Sequence, residues 1–162
     1  MRTVHGGFEA RGRRFAVVAS RFNELVVSKL VDGVLSCFRK HGLSDEDVDL
    51  VWTPGAFELP VVAKRMAESG HYDAVLCLGA VIRGETPHFE FIAAEAARGI
   101  QRTALDTGIP VLFGVLTTDT LEQALDRAGG KHGNKGWDVA MAAMEMADVM
   151  ESLPKGGGSD QA

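Results

Sequence analysis

The stretch from Gly79 to Phe91 decides the fold, and it reads Gly-Ala-Val-Ile-Arg-Gly-Glu-Thr-Pro-His-Phe-Glu-Phe. The apolar run from Ala74 to Ala80 is typical of a buried strand, and the residues after the stretch have the 3.6-residue apolar periodicity of a helix. Thr86-Pro87 predicts the start of that helix, because threonine suits an N-cap and proline suits the first helical position. The sequence therefore predicts a strand that ends where a helix begins, with the imidazole of His88 in the first helical turn.

The same order of strand and helix occurs throughout the chain. The predicted strands are Arg14 to Ser20, Val48 to Thr53, Ala74 to Ala80 and Pro110 to Thr117, and each precedes a helical pattern. A final helical pattern follows the glycine-rich loop from Gly130 to Gly136 and ends at Leu153. Near-continuous apolar strands that alternate with helices are typical of parallel sheets covered on both faces. We therefore expect a three-layer α/β/α sandwich of the flavodoxin-like class, with a four-stranded parallel sheet.

The sequence predicts one domain with two short flanking segments. Residues 1–12 are polar and glycine-rich, and we expect an N-terminal arm that lies against a sheet or a neighbouring subunit. Residues 13–153 carry all of the predicted elements. Residues 154–162 contain three consecutive glycines and predict a disordered tail.

Composition narrows the classes of function. The 22 acidic and 17 basic residues are interspersed and give a net charge of -5, so no basic face is available for a nucleic acid or an anionic membrane. No segment has the length and apolar character of a membrane span. Cys37 and Cys77 lie in apolar segments without metal-ligand spacing, which indicates two buried thiols in a reducing cytoplasm and no metal site.

Ligands of open α/β sheets bind beyond the carboxyl ends of the strands, and polar or aromatic side chains cluster at those ends here. His88 is the candidate general acid or base, because an imidazole titrates near neutral pH; a surface histidine at a helix start is the alternative. Phe22 and Phe57 lie beside turns, where a flat ligand could stack on them. Phe113 falls in the middle of a strand, which predicts a core residue.

Two polar segments could bind an anion. Arg83, Glu85 and Thr86 lie in a glycine-bracketed loop whose backbone N–H groups could hold a phosphate, although solvated turn residues are an equal alternative. Arg127 and Lys135 flank the second glycine-rich loop, where an anion could approach the backbone, and a helix-capping arginine is the alternative. We interpret Glu58 as a charge that favours a helix start, and His5, His41, His71 and His132 as surface residues.

Four loops together resemble one family. They are Ser20-Arg21-Phe22-Asn23, Pro54-Gly55-Ala56-Phe57-Glu58, Gly79 to His88, and Gly133-Asn134-Lys135-Gly136. In this order and spacing they resemble the lumazine synthases of riboflavin biosynthesis, over Phe8 to about Leu153. The resemblance implies condensation of 5-amino-6-(D-ribitylamino)uracil with 3,4-dihydroxy-2-butanone 4-phosphate to 6,7-dimethyl-8-ribityllumazine, phosphate and water. It implies neither a metal nor an organic cofactor.

The resemblance also implies roles for individual residues. Phe22 would stack on the pyrimidine, and Lys135 would lie near the pyrimidine carbonyls. The polar edge and ribityl chain would be bound by Ala56, Phe57, Glu58, Ala80, Val81 and Ile82. The phosphate would be held by Glu85, Thr86 and Arg127. His88 would shuttle protons, and Phe113 would reach the ligand across a subunit boundary.

The partners that the family implies are two small-molecule substrates, one of them phosphorylated, and further copies of the chain. The short loop from Gly130 to Gly136 is similar to that of members that assemble pentamers into icosahedral shells, and riboflavin synthase is a partner left open. Pro87 stands where many relatives have Ser or Thr, which could alter the orientation of His88. A non-catalytic shell or flavin-binding scaffold and a related riboflavin-pathway enzyme that consumes lumazine are the alternative functions.

Overall fold

The computed structural model describes residues 1–156. The strands are β1 (Phe15–Ser20), β2 (Val48–Thr53), β3 (Ala74–Ile82), β4 (Val111–Thr118), β5 (Ala128–Gly130) and β6 (Gly133–Asn134). The α-helices are α1 (Glu24–Lys40), α2 (Leu59–Glu68), α3 (His88–Thr107), α4 (Leu121–Arg127) and α5 (Lys135–Ser152). Short 3₁₀ helices cover Asp45–Asp47 and Ala56–Glu58.

The first four strands form one parallel sheet in the order β2-β1-β3-β4. Phe15 of β1 pairs with Val48 on one side and with Ala74 on the other, and Val75 of β3 pairs with Val111 of β4. The strand order reverses between β1 and β3, as it does at the ligand-binding switch point of flavodoxin-like sheets. The predicted α/β/α sandwich is therefore confirmed.

Helices cover the two faces of the sheet with separate cores. Alternate residues of β1, such as Phe15 and Val17, pack with α1, α4 and α5. The residues between them, such as Ala16 and Val18, pack with α2 and α3 on the other face. β1 is buried along its whole length and β3 up to Val81, which explains why their sequences are apolar without alternation.

Two local predictions are wrong. Pro87, and not Thr86, is the N-cap residue of α3, and no side chain caps this helix. The ring of Pro87 fixes φ at −69°, and its carbonyl accepts the first hydrogen bond, from the backbone N–H of Glu90 at 3.1 Å. The second difference concerns the predicted loop from Gly130 to Gly136. It contains the last residue of β5, the whole of β6 and the first two residues of α5, and β5 and β6 pair as an antiparallel hairpin.

The N-terminal arm lies along α5 of its own chain and not against a sheet. The Arg2 guanidinium donates to the carbonyl of Ser152 at 2.8 Å, and the backbone N–H of Gly7 donates to the Asp148 carboxylate at 2.7 Å. Ala10 is fully buried in the core. Of the predicted tail, only residues 154–156 belong to the described part, without helix or strand; residues 157–162 lie outside the described residues. Among the helices of residues 1–156, none is long and apolar enough to cross a membrane.

Candidate functional site

A cavity of about 610 Å³ opens at the carboxyl ends of β1, β2 and β3, on the face covered by α2 and α3. Nine of the residues predicted to form the site line it: Phe22, Ala56, Phe57, Glu58, Ala80, Val81, Ile82, Thr86 and His88. Pro54, Gly55, Gly84, Phe89 and Ile92 complete the lining. We refer to this cavity as the cleft. Its walls are mostly apolar, with one imidazole, one carboxylate and one hydroxyl, a composition typical of small-molecule sites.

The floor of the cleft exists because β3 is longer than β1. The last β3 residue that pairs with β1 is Leu78, whereas β3 continues to Ile82. Beyond Leu78, the edge of β3 that faces β1 has no strand partner, so apart from the carbonyl of Ala80 its backbone groups are open to a ligand. Asn23, in the left-handed conformation with φ 59°, donates from its side-chain amide to the carbonyl of Ala80 at 2.8 Å. This hydrogen bond fixes the turn after β1 against the floor.

Two phenylalanines stand at the rim. Phe22 is 72% exposed and Phe57 is 57% exposed, and both line the cleft, so their rings are accessible to a ligand there. The backbone N–H of Phe22 donates to the carbonyl of Pro54 at 3.0 Å, so the turns after β1 and β2 are tied together. Both aromatic rings are therefore held by short, hydrogen-bonded turns.

Arg83 fixes the loop that carries the other rim. Its Nε donates to Oδ1 of Asp119 at 2.8 Å, and its guanidinium lies 4.7 Å from the ring centroid of Phe89. The guanidinium also lies 3.6 Å from the Glu90 carboxylate. The Arg83 guanidinium is thus already bound to other side chains of the chain, and it is not free to bind a phosphate. Glu85 belongs to the same loop and is exposed, but it does not line the cleft.

The remaining three predicted site residues lie elsewhere. Phe113, Arg127 and Lys135 line a cavity of about 430 Å³ beside β4, and this cavity shares no residue with the cleft. An adjoining cavity of about 450 Å³ has Arg127, Thr117 and His132 in common with it. We refer to the two together as the β4 cavity. One chain therefore places the predicted site residues in two separate groups.

The prediction of Phe113 as a core residue is wrong. Phe113 is 41% exposed, and its strand β4 is an edge strand of the sheet. Edge strands have one unpaired side, and an exposed aromatic on such a strand indicates a contact outside the chain. The position at a subunit boundary that the family resemblance implied for Phe113 stays a prediction.

The sequence did not predict that His132 lines the same cavity as Arg127. Its side chain is exposed, as expected for a surface residue, but it lines both parts of the β4 cavity beside Arg127. The β5-β6 hairpin places it there, and no local pattern in the sequence predicts that hairpin. Phe89 and Ile92 of α3 are half-buried, pack against the core on this face of the sheet and also line the cleft.

No set of three or more His, Cys, Asp or Glu side chains within residues 1–156 is placed to hold a metal ion. Both cysteines are buried. Burial raises the pKa of the Cys77 thiol to about 12; burial and the nearby carboxylate of Asp138 raise that of Cys37 to about 11. Because the thiolate is the reactive form, neither cysteine is suited to nucleophilic chemistry.

Two comparisons with known proteins identify the family of the chain. Residues 12–151 match the family model described as 6,7-dimethyl-8-ribityllumazine synthase. Two curated relatives of that name, from two strains of Clostridium kluyveri, are each 52% identical over 153 residues, which is 94% of this chain and 99% of the relative. The chain therefore belongs to the 6,7-dimethyl-8-ribityllumazine synthase family.

Proposed function

We propose that this enzyme of riboflavin biosynthesis condenses 5-amino-6-(D-ribitylamino)uracil with 3,4-dihydroxy-2-butanone 4-phosphate. The products are 6,7-dimethyl-8-ribityllumazine, phosphate and water. The observation that carries the proposal is the convergence of nine predicted site residues on one cleft at the switch point of the sheet. A metal or organic cofactor has no role in the proposed reaction.

The cleft supports a division of roles along its length. Phe22 stacks on the pyrimidine at the rim, and the backbone of Ala80 to Ile82 receives the polar edge and ribityl chain. The open backbone edge of β3 supplies the donors and acceptors that such a polar ligand needs. Ala56, Phe57 and Glu58 form the opposite wall, on the 3₁₀ turn before α2.

His88 moves protons in the proposed reaction. The amine of the pyrimidine substrate is the nucleophile and attacks the ketone carbon, so the protein needs no nucleophile of its own. Water leaves when the carbonyl oxygen is protonated, phosphate leaves by elimination, and ring closure releases further water. Each step moves a proton, and an imidazole at the cleft wall is suited to accept and return it.

The phosphate is held at the end of the cleft nearest Glu85 and Thr86. These two residues begin the loop that leads into α3, whose first backbone N–H groups have no partner within the helix. Arg127 supplies the positive charge. Because Arg127 of the same chain lies in the β4 cavity, the arginine comes from a neighbouring copy.

We therefore propose that the complete site lies between two copies of the chain. One copy contributes the cleft, and its neighbour contributes Phe113, Arg127 and Lys135 from the β4 cavity. Exposed Phe22 and Phe57 on one copy and exposed Phe113 on the other support this arrangement, since apolar rings of this size are stabilised by burial. A ring of five copies, and shells built from such rings, is the assembly that we propose.

The compartment that we propose is the cytoplasm, and riboflavin synthase is a further partner to test.

The test of the reaction is direct. The purified protein is mixed with both substrates, and lumazine formation is followed by its absorbance. A rate no faster than that of the uncatalysed mixture would contradict the proposal. Incubation with lumazine alone tests the rival function, because an enzyme that consumes lumazine would give the spectrum of a different product.

A further inference from the structure

We propose that His132 is an additional ligand of the phosphate group, and that its imidazole donates a hydrogen bond to a phosphate oxygen beside the Arg127 guanidinium. This inference rests on the proposed function, because the proposed reaction supplies the phosphorylated substrate and releases inorganic phosphate. The motifs that carry the family resemblance assign no role to this histidine.

The backbone places His132 beside Arg127. Its N–H donates to the carbonyl of Asp126, the residue that precedes Arg127, at 2.8 Å. The side chains of both residues line the two parts of the β4 cavity. An oxyanion in this cavity would therefore be near both the Arg127 guanidinium and the His132 imidazole. These two groups are suited to donate hydrogen bonds to an anion.

The hairpin that carries His132 is held in one conformation. Gly129 and Gly133 have φ angles of 104° and 78°, which side chains rarely adopt. A Cβ on Gly130 would lie 2.7 Å from the carbonyl oxygen of Leu125, so this backbone packs directly on α4. The imidazole is thus presented by a turn that few other sequences could form.

Asn134 anchors the far end of the hairpin. Its side-chain oxygen accepts from the backbone N–H of Gly136 at 2.8 Å, and its amide donates to the carbonyl of Lys29 at 3.0 Å. A Cβ on Gly33 would lie 2.2 Å from that oxygen, so α1 and Asn134 are in close contact. The backbone that follows His132 is therefore anchored to α1 and to the start of α5.

The charged side chains that line the β4 cavity affect which ligands it can bind. Besides His132, the charged side chains that line it are Arg127, Lys135, Asp119, Asp126 and Asp138. Asp119 is neutralised by its ion pair with Arg83. The two remaining cations and two remaining carboxylates cancel in formal charge. Arg127 and Lys135 offer cationic donors to an oxyanion there, and the imidazole of His132 adds a further donor beside Arg127.

The experiment compares His132→Ala, His132→Lys and His71→Ala with the unmodified protein. His71 is an exposed histidine that lines neither the cleft nor the β4 cavity, so its replacement is the matched control. Binding of inorganic phosphate is measured by calorimetry on the assembled protein. The KM of each substrate is measured where lumazine forms, and thermal unfolding checks that each variant is folded.

We expect His132→Ala to weaken phosphate binding and to raise the KM of the phosphorylated substrate by about tenfold, the effect of one charge-assisted hydrogen bond. The KM of the pyrimidine substrate should stay within about twofold, His132→Lys should restore phosphate binding, and His71→Ala should change nothing. Unchanged phosphate binding in a folded His132→Ala variant would overturn the inference. Equal losses for both substrates would also overturn it, because they would indicate a structural role.

The proposed reaction and the proposed role of His132 can fail independently of each other. If the unmodified protein forms no lumazine but binds phosphate in a way that depends on His132, the anion site stands and the reaction is wrong. If lumazine forms at the same rate and KM without the imidazole, the reaction stands and the role of His132 is wrong.

Discussion

At the scale of single residues, His88 and Arg127 have separable tasks, because one lines the cleft and the other lines the β4 cavity. We expect His88→Ala to lower kcat by about tenfold to a hundredfold, at or below the low end of general acid–base contributions, since water can also carry protons in an open cleft. The KM values should change by less than about threefold. Steady-state kinetics test this, and a large rise in KM with unchanged kcat would contradict the proton-transfer role.

Arg127→Ala should act on binding of the phosphorylated substrate. Loss of the guanidinium should raise the KM of that substrate by about tenfold to a hundredfold, the range for hydrogen bonds between charged groups. Arg98→Ala is the matched control, since Arg98 is an exposed arginine on α3 whose ion-pair partner is Glu95, at 3.0 Å. An unchanged KM in Arg127→Ala would show that the phosphate is bound elsewhere.

The two thiols predict a stability effect at alkaline pH. Their pKa values are raised in the folded state, to about 11 for Cys37 and about 12 for Cys77, so the folded protein keeps protons that the unfolded chain has lost. The free energy of unfolding should therefore fall as the pH rises from about 9, the ordinary thiol pKa, towards these values. Replacement of both cysteines by alanine should reduce this dependence. Urea unfolding at a series of pH values measures it.

What the sequence could predict at this scale depends on whether a residue's surroundings are local. Phe22 and His88 follow strand ends, and a parallel sheet brings all strand ends to one edge, so their convergence was predictable. Phe113 was assigned to the core because a central position in a strand does not reveal that the strand lies at the edge of the sheet. His132 was missed because a tertiary hairpin, and no motif, places it beside Arg127.

At the scale of elements, Asn134 joins the hairpin, α5 and α1. It accepts two backbone N–H groups at the start of α5 and donates to Lys29. Asn134→Ala should lower the free energy of unfolding by about 1–2 kcal/mol, the upper part of the range for N-cap replacements. Ser44→Ala, which removes the single cap of an exposed 3₁₀ turn, should cost less. Equal losses in chemical denaturation would show that the contact with α1 adds nothing.

The bond between Arg83 and Asp119 joins two further elements, the β3–α3 loop and the turn after β4. Arg83→Ala should loosen the loop that carries Gly84, Thr86 and His88, because its guanidinium also packs on Phe89. Amide hydrogen exchange should become faster in that loop and stay unchanged in β1. Asp119→Asn, which keeps the shape and removes the charge, should give the same pattern. Unaltered exchange in both variants would mean that the loop is held by its backbone alone.

Elements with long, regular patterns were predictable, and short ones were not. β3 has nine residues and α3 has twenty, and both follow from apolar periodicity. β5 and β6 have three and two residues, so no periodicity could develop in them. The same limit applies at the start of α3, where Thr86 and Pro87 both fit a helix boundary and only the backbone geometry decides between them.

At the scale of the whole molecule, the exposed ring of Phe113 and the exposed rings at the cleft predict association. Light scattering should give a particle larger than a pentamer at all protein concentrations if pentamers assemble into shells. A pentamer-sized particle would contradict the proposed shell and leave the shared site intact.

Phe113→Ala should weaken the binding of the pyrimidine substrate without loss of the fold, because its side chain contributes little to the core of its own chain.

The shared site can be tested without a structure of the assembly. His88→Ala has a defective cleft and an intact Arg127, whereas Arg127→Ala has the reverse. When equal amounts are unfolded together and reassembled, random mixing should make about one quarter of the sites from two intact halves, because neighbouring chains contribute one half each. With the phosphorylated substrate far below its KM in Arg127→Ala, activity should then rise well above that of either variant reassembled alone. If cleft and arginine belonged to the same chain, every site would keep one defect, and the mixture would be no more active than the average of its parts.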